Sequence, residues 1–238
     1  MPARNNRGKD NFYPKISIKN IKNPSLLYAF PIFGLILKII MLIPVLIEVV
    51  FVTIYAMILT LLNSFYVLFT GKYWNESYKI NLGFLRLSTK IGFFIYGLTD
   101  KYPGFNFSTK DFTLIFAKPN KPNRFYAVPI IGFIVRIILL IPYLIYDSVI
   151  RTGALIGLLV SAFSVLINKK YPESIFEIGR DSTRVNLAAS IYLFGLSDAY
   201  PSFSISMNHR TTKLILIVIG AILTAMDYFR ELLFVLLR

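Results

Sequence analysis

The chain has 238 residues, 55% of them hydrophobic and only 16% charged, with a mean hydropathy of +0.62 and a formal net charge of +14. So little polar surface excludes a water-soluble globule and makes a membrane protein the default. The lack of cysteine excludes disulfides, thiolate catalysis and Cys-based metal sites. The positive charge is spread along the chain and not gathered on one soluble module, which points to an anionic lipid surface, worth roughly 1 kcal/mol per nearby Lys or Arg, and not to nucleic acid.

In chain order, residues 1–11 form a basic tail. The apolar stretch after it is too long for the core of a secretory signal. "KISIKN" after Pro14 alternates as a short strand, and the apolar block from Leu26 to Phe69 follows. A single straight helix of that length extends about 66 Å against a hydrocarbon core near 30 Å, so the block is expected to fold or bend. A hairpin of two crossings is the preferred reading. In the second such block its turn falls at "YDSVIRTG", Tyr146–Gly153; a short interfacial helix ending at Pro44 or Pro142, followed by one tilted span, is the competitor. Basic residues lie on both flanks of the first block, from Arg4 to Lys22 and from Lys72 to Lys101. The positive-inside bias therefore favours hairpins, with every basic segment on the cytoplasmic side of the cell membrane in a multi-pass arrangement.

Next comes "FLRLSTKIGFFIYGL", Phe84–Leu98. Arg86 and Lys90 share one helical face while Phe84, Leu87, Ile91, Phe94 and Ile95 form the other, the pattern of an amphipathic helix lying in the headgroup layer. It ends in "GLTDKYPGF". Gly97 suits a left-handed cap and Pro103 prevents the helix from resuming. Asp100 is expected to accept hydrogen bonds from the turn's own N–H groups, and Tyr102 to join the aromatic belt at the membrane surface. "FNFS" then reads as a second short strand.

The same text recurs about 98 residues later. "YAFPIFGLILKIIMLIPVLI" from Tyr28 aligns without a gap with "YAVPIIGFIVRIILLIPYLI" from Tyr126, and "GLTDKYPGF" with "GLSDAYPSF". Arg86 matches Arg184, Asp100 matches Asp198, Tyr102 matches Tyr200, and Lys38 matches Arg136. The expected architecture is mainly α and integral to the membrane, with two tandem repeats at 12–109 and 110–207. Each is an apolar helical hairpin plus an in-plane amphipathic helix with short cytoplasmic β-strands, and a C-terminal apolar helix occupies 208–238. Lys38 and Arg136 sit inside apolar helices, where a charge snorkels to the interface, pairs within the bundle, or lines a pathway. Glu48 is one conceivable partner for Lys38.

The order "LIP", a long apolar helix, "TGKYW" at Thr70–Trp74 or "NKKYP" at Asn168–Pro172, an Arg at 86 or 184 and then "LTDKYPGF" resembles prokaryotic membrane proteins grouped as domain of unknown function 4389. Trp74 stands where that family usually has Pro, Asn168 and Lys169 replace its Thr-Gly, and Val45 or Tyr143 replaces the His that often follows its Ile-Pro. The resemblance implies a membrane domain and supplies no activity.

Catalytic constellations are scarce: twelve carboxylates are scattered singly and the lone His209 lies in a polar linker. No cofactor or metal is expected, and the chain reads as a non-catalytic accessory or scaffold subunit with protein partners. Alternatives are a lipid-interacting or membrane-shaping protein, or a small transporter using Lys38, Arg136, Asp147 and Arg151. Candidate contacts for anionic lipid or a partner are Lys38, Arg86, Lys90, Arg136, Arg184, Asp100, Tyr102, Asp198 and Tyr200.

Overall fold

The computed structural model describes residues 14–107, 110–116, 122–206 and 208–237; the basic tail at 1–11 lies outside them. The elements run β1 (Lys15–Ile18), α1 (Leu26–Ala29), α2 (Phe33–Thr70), α3 (Asn75–Ile95), β2 (Phe112–Ile115), α4 (Ile131–Asn168), α5 (Glu173–Leu193) and α6 (Arg210–Leu236). The protein is thus mainly helical, with one small sheet and, among the described residues, three helices long and apolar enough to cross a membrane: α2, α4 and α6.

The hairpin expected inside each apolar block is not there. Both α2 and α4 are unbroken helices of 38 residues, and the chain reverses only after Thr70 and Asn168. Pro44 and Pro142 do not interrupt them. Each proline removes one helical hydrogen bond on an exposed side, while its neighbours hold the helix down: Leu42 and Val45 pack on Leu87, Ile91 and Phe94, and Leu140 and Tyr143 on Val185, Ala189 and Tyr192. The supposed turn at Tyr146–Gly153 continues as helix because its polar and small residues serve packing. Asp147 is fully buried and pairs one turn on with Arg151, and Gly153 lies against the α6 backbone.

The stretches expected as surface helices are central. α3 and α5 are each 21 residues, start earlier than expected, and pack on one another; α2 covers α3, and α4 covers α5. Phe84, Leu87, Ile91 and Phe94 are buried as their spacing implies, but α5 is buried on nearly every side. Gly97 and Gly195 close these helices with φ of 68° and 66°. The N–H of Leu98 reaches Phe93 O at 2.8 Å and that of Leu196 reaches Ile191 O at 2.9 Å, a Schellman cap at both ends. Trp74, where the second half has Pro172, carries an N–H that Asn63 Oδ1 accepts at 2.9 Å.

The expected strand "KISI" and "FTLI", which stands at its position in the second repeat, form β1 and β2, which pair antiparallel with Lys15 opposite Ile115 and Ser17 opposite Thr113. Residues 105–107 and 203–206 are not strand. The sheet lies over the central helices, Phe112 meeting Phe93 edge-on at 5.2 Å.

α6 docks on α4 through glycine. An added Cβ on Gly220 lies 2.6 Å from Val149 O and 2.8 Å from Gly153 N, and one on Gly153 lies 2.8 Å from Leu216 O. Gly153 and Gly157 form a small-xxx-small stripe, the means by which apolar helices approach closely. Gly220→Ala is therefore expected to push α6 off α4 and cost about 1–3 kcal/mol, as overpacking does. Thermal melting in detergent checks this, with the exposed Met226→Ala unchanged as control.

Candidate functional site

Two equivalent polar locks occupy the heart of the helical layer. In the second half, the sharp turn at Pro129-Ile130, where Ile130 adopts φ 64° and Ile131 N–H reaches Pro129 O at 2.7 Å, starts α4 and brings Gly132 so close to Tyr126 O that a Cβ would lie 2.2 Å away. One turn later Arg136 points inward, 4% exposed. Its Nη1 donates to Tyr192 O at 2.7 Å and Ser197 O at 3.0 Å, its Nη2 to Asp198 Oδ1 at 2.5 Å, and its Cζ lies 4.8 Å from the ring centres of both Tyr126 and Tyr192. Asp198 Oδ2 accepts the N–H of Asn123 at 2.7 Å.

The first half repeats this with a lysine. Gly34 sits 2.4 Å, measured from its would-be Cβ, from Tyr28 O. Lys38, 2% exposed, places Nζ 5.7 Å from the rings of Tyr28 and Phe94 and faces Asp100, whose Oδ2 accepts the N–H of Ser25 at 2.7 Å. Snorkelling is thereby corrected: both heads are buried within the protein. Glu48 is not the partner of Lys38. The expectation that the aspartates serve their own turn is corrected too. The turn N–H groups of Lys101 and Ala199 go to Thr99 Oγ1 at 3.2 Å and Ser197 Oγ at 3.1 Å, leaving each Asp free to tie down a residue 75 positions earlier.

Each lock is closed by the opposite half. Leu158, Ser161, Ala162 and Tyr171 line one cavity with Lys38, and Thr60, Asn63, Ser64 and Tyr73 line another with Arg136. Tyr171 Oη donates to Tyr96 O at 2.8 Å, and Tyr73 Oη to Phe194 O at 3.4 Å. Burial pushes the phenols of both tyrosines well above their ordinary range, so they remain donors. The cavity at each lock is only about 30 Å³, too small for a substrate.

The remaining expected residues fall elsewhere. Tyr102 stacks edge-on with Phe94, and Tyr200 with Tyr192, its Oη reaching Leu139 O at 3.0 Å. Arg184 pairs with the fully buried Asp181 at 3.2 Å; burial pulls its guanidinium down to about 10, Asp181 opposing. Asp181 also belongs to a cluster invisible in the sequence: Lys213, 1% exposed, lies 2.8 Å from Glu177 and 3.0 Å from Asp181, stapling α6 to α5. His209 joins its outer edge, with ligand atoms of Glu173, Glu177 and His209 within 4.8 Å of one another. That trio has the chemistry of a cation site, but Glu177 is already engaged by Lys213 and by Asn208 at 3.2 Å.

Lys90 lines a third feature. Its Nζ donates to Asn106 O and Oδ1, both at 2.7 Å, and burial lowers its ammonium, Asp111 opposing. With Lys101, Lys110, Tyr102 and Asn106 it borders a recess of about 470 Å³ beside the sheet. Arg86 lies half-buried on the same helix, apart from that recess.

These features define a membrane protein with a helical core held by buried ion pairs. A family model described as a domain of unknown function, DUF4389, matches residues 131–204, a span that covers α4, α5 and the second lock, so this part of the chain is similar to that family. Searches of curated proteins and of solved structures gave no match.

Two outcomes follow. Asp198→Asn leaves Arg136 buried without its counter-charge and is expected to cost about 3–5 kcal/mol in thermal melting, with Arg136→Leu in the same chain recovering part of the loss. For Glu177, burial alone raises the carboxyl, but the hydrogen bonds from Lys213 and Asn208 and the charges of Lys213 and Arg180 outweigh it, leaving the group below the usual carboxylate range. A depressed carboxylate stabilises fully above the unfolded value of about 4.3, and the contribution is lost as pH falls through the lower folded value. Melting points of the wild type should therefore drop more steeply than those of Glu177→Gln as pH falls below about 4.

Proposed function

We propose that the chain is a non-catalytic, lipid-interacting protein of the cell membrane, built from two tandem copies of one helical unit with its basic side toward the cytoplasm. The tandem reading is supported by counterpart helices of equal length offset by 98 positions and by the paired locks. The lipid reading is carried by one observation: the recess bordered by Lys90, Lys101 and Lys110 opens beside the sheet on a molecule whose long helices expose Ile, Leu and Phe along their outer faces. Three ammonium groups against the single carboxylate of Asp111, which pairs with Lys101, leave the recess net positive, and with the Tyr102 ring they suit an anionic headgroup. The first half alone offers them, since the second half has Ala188, Ala199 and Asn208 at those positions.

An accessory-subunit role is supported by α6, which is wholly exposed after Thr224 and carries there Arg230, paired with Asp227 at 2.6 Å and Glu231 at 3.5 Å, among large apolar side chains. A transport role finds less support, because both locks are filled by protein groups.

The test is the lipid retained after gentle extraction. Anionic lipid is expected to be enriched over the bulk membrane, and Lys90→Gln with Lys101→Gln and Lys110→Gln to abolish that enrichment while the melting point holds. Bulk composition in the wild type, with a stoichiometric foreign polypeptide, supports the accessory role instead.

A further inference from the structure

We infer that α2 and α4 lie along the membrane, embedded in one leaflet, and do not cross it. The inference rests on the two-copy reading. Under the 98-residue offset, the pair Lys15–Ile115 is the image of Ser17–Thr113, and Ile16–Leu114 is its own image, so a twofold axis passes through the centre of the sheet. The α3–α5 contact agrees with it: Gly92 meets Thr183, and Leu85 and Ser190, the image of that pair, line the same cavity.

Such an axis stands either in the membrane plane or along its normal. In the plane, it would carry the sheet to mid-bilayer and set the exposed Lys15 and Lys19 in hydrocarbon, where a charged side chain is costly. The axis therefore runs along the normal. Residues related by the offset then share a depth, so Thr60 and Leu158 are level. Lys38 Nζ and Leu158 meet beside Gly97, and Arg136 and Thr60 line one small cavity. Lys38 and Thr60 must then be nearly level as well, although about 33 Å separate them along α2. Allowing about 10 Å for side-chain reach, α2 lies within about 20° of the membrane plane.

A second observation agrees. Large apolar side chains are exposed along α2 from Phe33 to Phe69, a stripe of about 54 Å. To fit a core near 30 Å, a spanning helix of that length would tilt by about 56°, beyond the 0–40° of membrane helices. Lying flat, the whole stripe meets acyl chains, and the sheet with the basic recess faces the headgroups of the same leaflet.

The cysteine-free chain permits a direct test. Ile36, Ile47, Ile58 and Phe69 are exposed along one face of α2, and their counterparts on α4 are Ile134, Ile145, Ile156 and Ile167. Single cysteines at these eight positions, labelled with a fluorophore in phosphatidylglycerol-containing vesicles, give depths by quenching with lipids brominated at a series of acyl positions. Expected are depths that agree along each helix within about 5 Å, against a half-thickness near 15 Å, and the same profile for α2 and α4. A profile passing from one headgroup layer through the centre to the other, alike in both helices, overturns the flat placement and leaves the two-copy reading standing. Profiles that differ between α2 and α4 overturn the twofold relation and the inference with it.

Discussion

A buried cation clasped between two aromatic rings and one carboxylate is the constraint on which the rest of this structure depends. Arg136 touches the helix that carries it, the end of α5 at Tyr192, the turn at Ser197 and Asp198, and, through Asp198, the entry segment at Asn123. A charge this deep is tolerated only with its partners in place. Satisfying it therefore fixes where α4 begins, where α5 ends and how the two lie together. Lys38 faces Asp100 at the matching place in the first half through charge and the rings of Tyr28 and Phe94, a looser arrangement than the forked hydrogen bonds of a guanidinium.

The locks also explain how the halves meet. Each is sealed by the far end of the opposite long helix, and each sealing helix is followed by a tyrosine that donates to the backbone at the end of the other half's central helix. The contact is self-complementary in the manner of a twofold dimer interface. The staple of Glu177, Asp181 and Lys213 has no counterpart in the first half, where Lys79 and Gly83 occupy the acidic positions. That asymmetry gives α6 a single docking place.

Much of this was legible in the sequence, for identifiable reasons. The long apolar stretches, the apolar face of α3, the Gly97 and Gly195 caps and strands β1 and β2 follow from local periodicity and turn chemistry, which the chain carries within a few residues. What was not legible depends on distant partners. "YDSVIRTG" has turn composition, yet Asp147 is buried beside Arg151 and Gly153 exists to admit α6. Lys38 and Arg136 have snorkelling positions by hydropathy, but their carboxylates stand 62 residues downstream, as the Arg136–Asp198 separation gives. The small-xxx-small stripe at Gly153 and Gly157 was a readable signal for helix docking; the acidic staple became visible only when α5 and α6 were placed side by side.

The most direct measurement of the central claim, that the two halves close on each other about a shared axis, is a disulfide across that axis. Cysteines replacing Ile16 and Leu114, directly opposite in the sheet, should cross-link in the membrane under mild oxidant, as read by mass spectrometry of the digested chain, whereas Ile16 with Phe112 should not. Cross-linking at the second pair and not the first would contradict the register, and with it the reciprocal closure of the locks.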